Sequence, residues 1–218
     1  MKNLIMKFNF LRRFVFFCLT LIVVRFFKTE HYSFLFLFWN LFLAWLPVFF
    51  IKKIKTEQSK YMKFFLLSLS ILFLPNAPYI LTDLFHLKQN LIAPLWFDLV
   101  LILSFAILGL IYFIISFELI LEEIHQTFRK SVHVVAKPLL LLACGYGIYL
   151  GRYLRFNSWD IISDPYHLAG GMLNSVFNPG HVKETLSVTI TFAIFLYLIF
   201  EIYLSFKNKL MPEKNELH

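Results

Sequence analysis

The chain carries little charge. Only 16% of its 218 residues are Asp, Glu, Lys or Arg, whereas a water-soluble domain has about 25%. Hydrophobic residues make up 59% of the sequence, and 28 residues are Phe. A soluble fold of this length would be unable to bury so many large apolar side chains, so lipid is the solvent that suits them. The composition excludes an ordinary soluble domain and indicates an integral membrane protein.

Cysteine is scarce as well. Cys18 and Cys144 both lie inside apolar runs, where a free thiol behaves as a small hydrophobic side chain. Two cysteines placed in this way give neither a disulfide framework nor the ligand spacing of a metal site. The sequence therefore indicates no confident metal site and leaves any cofactor unknown.

Acidic residues are fewer than basic ones, and the formal net charge is +8. The Lys and Arg residues stand between apolar runs, as the flanking charges of membrane spans do. They form no basic face, and no nucleic-acid-binding module accompanies them. We therefore expect the lipid bilayer as the partner and exclude nucleic acid. A membrane-protein partner or a homo-oligomer is left open.

The N-terminal apolar run has no small-residue cleavage site after it. A basic start followed by apolar residues is typical of a secretory signal peptide, but here the sequence continues with Arg25, Phe26, Phe27 and Lys28. We therefore interpret this run as an uncleaved first span.

Six apolar runs are long enough to cross about 30 Å of hydrocarbon as helices that rise about 1.5 Å per residue. They predict an all-α, polytopic transmembrane helix bundle in one domain, residues 1–206, followed by a cytoplasmic tail, residues 207–218. The two long outer loops, 75–94 and 152–183, mix aromatic and polar residues and are expected to contain short interfacial helices. The predicted spans are approximately 10–27, 32–51, 61–80, 95–120, 134–154 and 184–206.

The distribution of Lys and Arg predicts the orientation. Fifteen of the 21 fall in the N-terminal arm, the second and fourth connections and the tail. Because cytoplasmic connections carry the excess of positive charge, we expect both termini in the cytoplasm and the two long loops outside it.

The stretch LFLPNAPYILTDLFHL ends the third apolar run with unusual residues. Pro75 and Pro78 each remove a backbone donor, and either the Asn76 side chain or water that enters at the break satisfies a carbonyl group that this frees. An ordinary helix exit at the membrane surface is the alternative interpretation of this break. Asp83 and His86 are three residues apart and share a face of a helix. Such a pair is either a local ion pair or cap, or a functional pair that moves a proton or binds a metal. Asp83 and His86 are thus candidate catalytic residues, and Asn76 is a candidate substrate-binding residue.

Asp98 lies just inside the fourth apolar run. An acidic residue in that position is costly and normally faces the helix bundle or a watery cavity. We therefore regard Asp98 as a candidate catalytic residue, in one cluster with Asp83 and His86.

The stretch GRYLRFNSWD begins the second long loop. Arg152 and Arg155 carry planar guanidinium groups, which are suited to clamp phosphate or carboxylate. Together with Asn157 and Trp159 they are candidate substrate-binding residues. Asp160 is a further candidate catalytic residue.

Gly147 and Gly151 form a G-x-x-x-G pattern in the fifth run. Small residues four apart let a second helix approach closely, so we predict that they mediate helix packing.

Three stretches, FWNLFLAWLP, LFLPNAPYILTDLFHL and GRYLRFNSWD, together resemble the DUF1361 family of bacterial multi-pass membrane proteins. The resemblance covers residues 32–206. It implies a multi-pass protein of the bacterial plasma membrane with uncharacterised function, and it assigns neither an activity nor a catalytic residue.

Three functions follow as alternatives. The first, which we favour, is an assembly or accessory membrane protein with a polar cluster on its extracytoplasmic face. The second is a membrane enzyme that acts at that face on an anionic lipid or a lipid phosphate. The third is a transporter or channel component, in which the broken third span and Asp98 line a pathway. Whether the protein is an enzyme is left open.

Overall fold

A computed structural model describes residues 2–87, 92–128 and 130–210, and every regular element in these ranges is a helix. This confirms the predicted all-α, polytopic helix bundle. Part of the outer loop 75–94 and part of the tail 207–218 lie outside the described residues. The helices in chain order are α1 (Lys2–Thr29), α2 (Phe36–Ile54), α3 (Lys60–Phe73), α4 (Asn76–Tyr79), a 3₁₀-helix (Ile80–His86), α5 (Leu95–Thr127), α6 (Lys130–Arg152), α7 (Asp160–Ser163), α8 (Pro165–Phe177) and α9 (Pro179–Leu210).

Among the described residues, five helical segments are long and apolar enough to cross a membrane. They confirm a multi-pass membrane protein. The first predicted span, 10–27, lies on α1 and is not one of the five; α1 carries Arg12, Arg13 and Arg25, and its crossing stays a prediction. The five segments are Phe36–Ile54, Lys60–His86, Leu95–Thr127, Val134–Arg152 and Pro179–Lys209.

The chain divides into two compact units, residues 1–116 and 117–218, with the border inside α5. In the first unit α2 packs against α3, α4 and the 3₁₀-helix. In the second unit α6 packs along α9, and α8 contacts both α7 and α9. The single domain over residues 1–206 stays a prediction.

The third apolar segment changes its helix type where the prolines stand. The α3 helix ends at Phe73, and the Leu74 amide bonds the Ile71 carbonyl in a tighter turn. The Asn76 side-chain amide then donates to the Phe73 carbonyl at 3.0 Å. Asn76 therefore gives a carbonyl near the proline break a partner within the protein, which such a group needs in lipid. The chain continues as helix through α4 and the 3₁₀-helix.

The connection between α2 and α3 is held by its own polar side chains. The Glu57 carboxylate accepts the backbone amides of Gln58 at 2.9 Å and Ser59 at 3.1 Å. These two donors, that of Ser59 above all, lower the pKa of the Glu57 carboxyl. The Ser59 side chain in turn caps α3 by accepting from the Met62 amide. The short loop therefore fixes where α3 begins.

Ion pairs between helices order the second unit. Glu118 of α5 accepts hydrogen bonds from the Tyr203 hydroxyl at 2.8 Å and from the Lys207 ammonium group, both on α9. Lys137 of α6 pairs with Glu201 of α9. The predicted tail begins at residue 207, but α9 continues to Leu210, in part because Lys207 is anchored on Glu118.

The α6 and α9 helices of the second unit approach each other closely at Gly145. A Cβ atom on Gly145 would stand 2.2 Å from the backbone oxygen of Thr189, so only glycine fits there. The predicted packing glycines, Gly147 and Gly151, lie on the same helix and are half-buried. Their role in packing stays a prediction, whereas Gly145 makes the contact with the α9 backbone.

Replacing Gly145 with alanine tests this contact. We expect G145A to lower the free energy of unfolding by about 1–3 kcal/mol, because the new methyl group must push the α9 backbone away. G170A is the matched control: a Cβ on Gly170 of α8 meets nothing within 4 Å, so alanine there gains only helix propensity, about 0.5–1 kcal/mol. Thermal unfolding in detergent micelles measures both variants. Equal stability of the two would show that α6 and α9 are not in backbone contact.

Candidate functional site

Arg25 and Asp98 are two buried, oppositely charged residues of the first unit. The Arg25 Nε atom donates to Asp98 Oδ1 at 2.7 Å, and Nη2 donates to Oδ2 at 3.1 Å. Both side chains are only 2% exposed. Two parallel hydrogen bonds between planar groups form the strongest type of charge pair found in proteins. The pair joins α1 to α5.

Local structure positions both members of this pair. Arg25 is one turn before the end of α1, where the Thr29 hydroxyl bonds its carbonyl. The Phe34 ring covers the guanidinium group, with its centroid 4.2 Å from Cζ. Asp98 lies in the first turn of α5, where the helix dipole favours a negative charge. The Phe34 ring therefore stabilises the charge of Arg25 and the helix dipole stabilises that of Asp98, in addition to the ion pair between them.

Sequence reasoning missed the role of Arg25, which it counted as a cation flanking the first span. Two signals were present in the sequence: Arg25 lies within the predicted span 10–27, and Asp98 lies inside the fourth. A charge within an apolar helix is costly and normally pairs with an opposite charge, so these two residues were possible partners. Among the described residues, the Arg25 Nη1 atom has no hydrogen-bond partner.

Asp83 is the second buried acid of the first unit and is 1% exposed. Its Oδ2 atom accepts a hydrogen bond of 2.9 Å from the side-chain amide of Asn40 on α2. An amide within an apolar span is expected to bond across helices, and this one does. The bond ties the 3₁₀-helix to α2.

His86 follows Asp83 by three residues on the same 3₁₀-helix, where residues three apart are eclipsed. Its ring lies edge-on to Phe36 of α2, with 5.3 Å between the ring centroids. Asp83 and His86 therefore both face α2. The described residues contain no group of three or more His, Cys, Asp or Glu side chains placed to share a metal ion.

The candidate residues of the second loop are organised around Asp160. Its carboxylate accepts the Asn157 backbone amide at 2.7 Å and the Ser163 hydroxyl at 3.1 Å. Trp159 precedes α7 at its N-cap position and is half-buried. Asp160 thus holds the loop at the start of α7 through hydrogen bonds on both sides of its own position.

Arg152 and Arg155 are placed differently. Arg152 ends α6 and is half-buried, whereas Arg155 is exposed and has φ of 60°. This left-handed conformation reverses the chain, so that the Phe156 amide bonds the Leu150 carbonyl at 3.0 Å. The reversal seats the Phe156 ring on Gly171 of α8, where a Cβ atom would approach the ring to 2.5 Å. Packing of Phe156 helps to explain a strained conformation at a non-glycine residue.

The structure thus brings Asp98 to Arg25, Asp83 to Asn40 and Asp160 to Asn157. The first two contacts belong to the first unit and the third to the second unit. The catalytic roles of Asp83, His86, Asp98 and Asp160 stay predictions, as do the substrate-binding roles of the candidates below. Those candidates are Asn76, Arg152, Arg155, Asn157 and Trp159.

The helices and their apolar composition define this chain as a multi-pass membrane protein. The DUF1361 family, described as a protein of unknown function, matches residues 39–199, and the chain belongs to that family. No curated protein and no solved structure matches the chain.

Removing one member of the Arg25–Asp98 pair leaves a buried charge without its partner. We expect R25A and D98A each to lower the free energy of unfolding by about 3–5 kcal/mol. The double variant R25A/D98A is expected to lose less than the sum, because neither member of the pair is then left as a buried charge without its partner. A double-mutant cycle in mixed detergent micelles measures the coupling.

K28A is the control for this cycle, since Lys28 lies on the same end of α1 but is exposed. It is expected to change stability by less than about 0.5 kcal/mol. A loss in K28A as large as that in R25A, or additive effects in the double variant, would contradict the pairing.

Proposed function

We propose that this chain is an assembly or accessory protein of the bacterial plasma membrane. The supporting observation is that Asp83 and Asp98, the acids best suited to chemistry, are both about 1% exposed and engaged by side chains of other helices. An acid–base catalyst must exchange its proton with a substrate or with water. The contacts of these two acids are instead those of groups that hold helices in place.

The polar cluster of this protein, which contains Asp83 and Asp98, lies on the extracytoplasmic side in this proposal. Support comes from the distribution of Lys and Arg, which favours a cytoplasmic N-terminus. Burial of Arg25 strengthens that distribution, because a cation neutralised by Asp98 no longer counts as a flanking charge on the outer side. Lys88 and Arg129, one on each predicted side, lie outside the described residues.

Deletion of the gene in its bacterium separates an accessory protein from an enzyme. We expect the deletion to lower the amount of a client membrane complex on native gels and to leave the lipid composition unchanged. A D83N variant that folds is expected to restore the complex, because the asparagine side-chain oxygen still accepts a hydrogen bond from the Asn40 amide. Quantitative membrane proteomics and lipid mass spectrometry give the two measurements.

A lipid species that accumulates in the deletion strain would contradict the proposal. If wild-type protein cleared that lipid and a folded D83N variant did not, Asp83 would be a catalytic residue of a lipid-modifying enzyme. R155Q is the control in this experiment, since Arg155 is exposed on the loop of the second unit.

A transporter or channel component is the second proposed function, and the buried Arg25–Asp98 pair favours it. Ionisable side chains within membrane helices often mark the path of an ion or a proton. For an accessory protein we expect purified protein in liposomes to give no proton flux above that of protein-free liposomes, as measured with a trapped pH-sensitive dye. A flux that D98N abolishes and K28A retains would establish transport instead.

A further inference from the structure

A groove of about 880 Å³ opens in the first unit, lined by residues of α1, α2 and α5. Its volume falls in the range of about 300–1,000 Å³ that small-molecule sites occupy. The groove has a basic rim, formed by Arg12, Arg13 and Lys52, and an apolar wall that includes Trp45 and Val48. None of the candidate residues from the two polar loop stretches lines it. The groove is therefore separate from those candidate residues.

The rim is strongly positive. Arg12 and Arg13 are exposed and, among the described residues, form no ion pair. The described residues that line the groove include no acidic side chain. Two guanidinium groups and one ammonium group around one opening provide charge and geometry for a phosphate, which guanidinium binds with paired hydrogen bonds.

The wall of the groove is apolar and leads away from the rim. Leu19 lies six residues beyond Arg13 on α1, and Trp45 lies seven residues before Lys52 on α2. At about 1.5 Å per residue, both side chains are about 10 Å deeper along the helices than the cations. A ligand that fills this groove must therefore have an anionic end and a long apolar part.

The groove is distant from the Arg25–Asp98 pair within the first unit. Tyr112, which lines the groove, is 14 residues after Asp98 on α5; this corresponds to about 21 Å. Arg12 and Arg25 are separated by a similar length of α1. The groove therefore lies about 20 Å from the pair along the helices. This is about two-thirds of the roughly 30 Å of hydrocarbon, and the long basic side chains of the rim can extend the rest of the way to the headgroups of the other leaflet. With the proposed orientation this is the cytoplasmic leaflet, whose anionic lipids attract basic residues.

We propose that this groove binds one anionic phospholipid. Arg12, Arg13 and Lys52 contact its phosphate, and its acyl chains lie on Trp45 and Val48. The charge complementarity of the rim and the apolar wall below it select such a lipid over both a zwitterionic lipid and a free phosphate. The proposal does not depend on the accessory function, since no residue of the polar cluster takes part.

Quenching of Trp45 by brominated lipid tests the proposal at the groove itself. The full chain carries four tryptophans, and W39F/W96F/W159F leaves Trp45 alone. Nanodiscs of phosphatidylcholine receive increasing fractions of phosphatidylglycerol or phosphatidylcholine with brominated acyl chains, over the same range for both lipids. We expect half-maximal quenching of Trp45 at a phosphatidylglycerol fraction at least about fivefold lower than for phosphatidylcholine. Equal quenching by the two lipids would overturn the proposal.

The matched control is the variant that keeps Trp39 alone, W45F/W96F/W159F. Trp39 is on the same helix and 49% exposed, but it does not line the groove. We expect both brominated lipids to quench Trp39 equally. A preference for phosphatidylglycerol at Trp39 as large as that at Trp45 would show a general surface effect and overturn the proposal.

Single charge removals then locate the headgroup. In the variant with Trp45 alone, K52Q is expected to weaken the phosphatidylglycerol preference about fivefold, as one cation near a membrane surface contributes. K53Q removes the neighbouring charge, which is exposed and outside the groove, and is expected to leave the preference unchanged. Equal losses in K52Q and K53Q would overturn the proposal. R12Q/R13Q, checked for folding by its thermal transition, is expected to abolish the preference.

Discussion

The absence of water from the hydrocarbon core is the constraint on which this structure depends. A backbone or side-chain polar group in that region has no solvent partner and must find one within the protein. Asn76 satisfies the Phe73 carbonyl at the proline break, Asn40 donates to Asp83, and Arg25 pairs with Asp98. Each contact joins a polar group to another turn or another helix. The same requirement that permits these polar residues in the spans also fixes the arrangement of the first unit.

Because polar groups in the hydrocarbon need partners, the arginines of α1 have two different environments. Arg25 lies within the helix packing, where its charge is neutralised by Asp98 and covered by Phe34. Arg12 and Arg13 lie about 20 Å away along the same helix, exposed at the rim of a groove. Arg25 stabilises the fold, because removing one partner strands a buried charge. Arg12 and Arg13 remain accessible and provide positive potential for an anionic headgroup.

Much of the fold was predictable because it depends on composition and periodicity along the chain. The long apolar runs predicted five of the helical segments to within a few residues at most ends, and the two prolines predicted the break after Phe73. Helix ends were less predictable. The α9 helix continues to Leu210, and near this end Lys207 has a carboxylate partner on α5 that is 89 residues away in sequence. Such a partner is visible only when the helices are placed side by side.

The sequence by itself determined that the protein is apolar, helical and multi-pass, because each of these properties follows from residues that are close together along the chain. It also showed which acids and amides were unusual. Only the tertiary structure showed that Arg25 pairs with Asp98 and that Asn40 donates to Asp83. It likewise selected Gly145 for the close approach of α6 to α9. These pairings join segments that are far apart in sequence. They depend on how each helix is rotated about its axis and on how deep it lies in the membrane, and residue spacing along one helix gives neither.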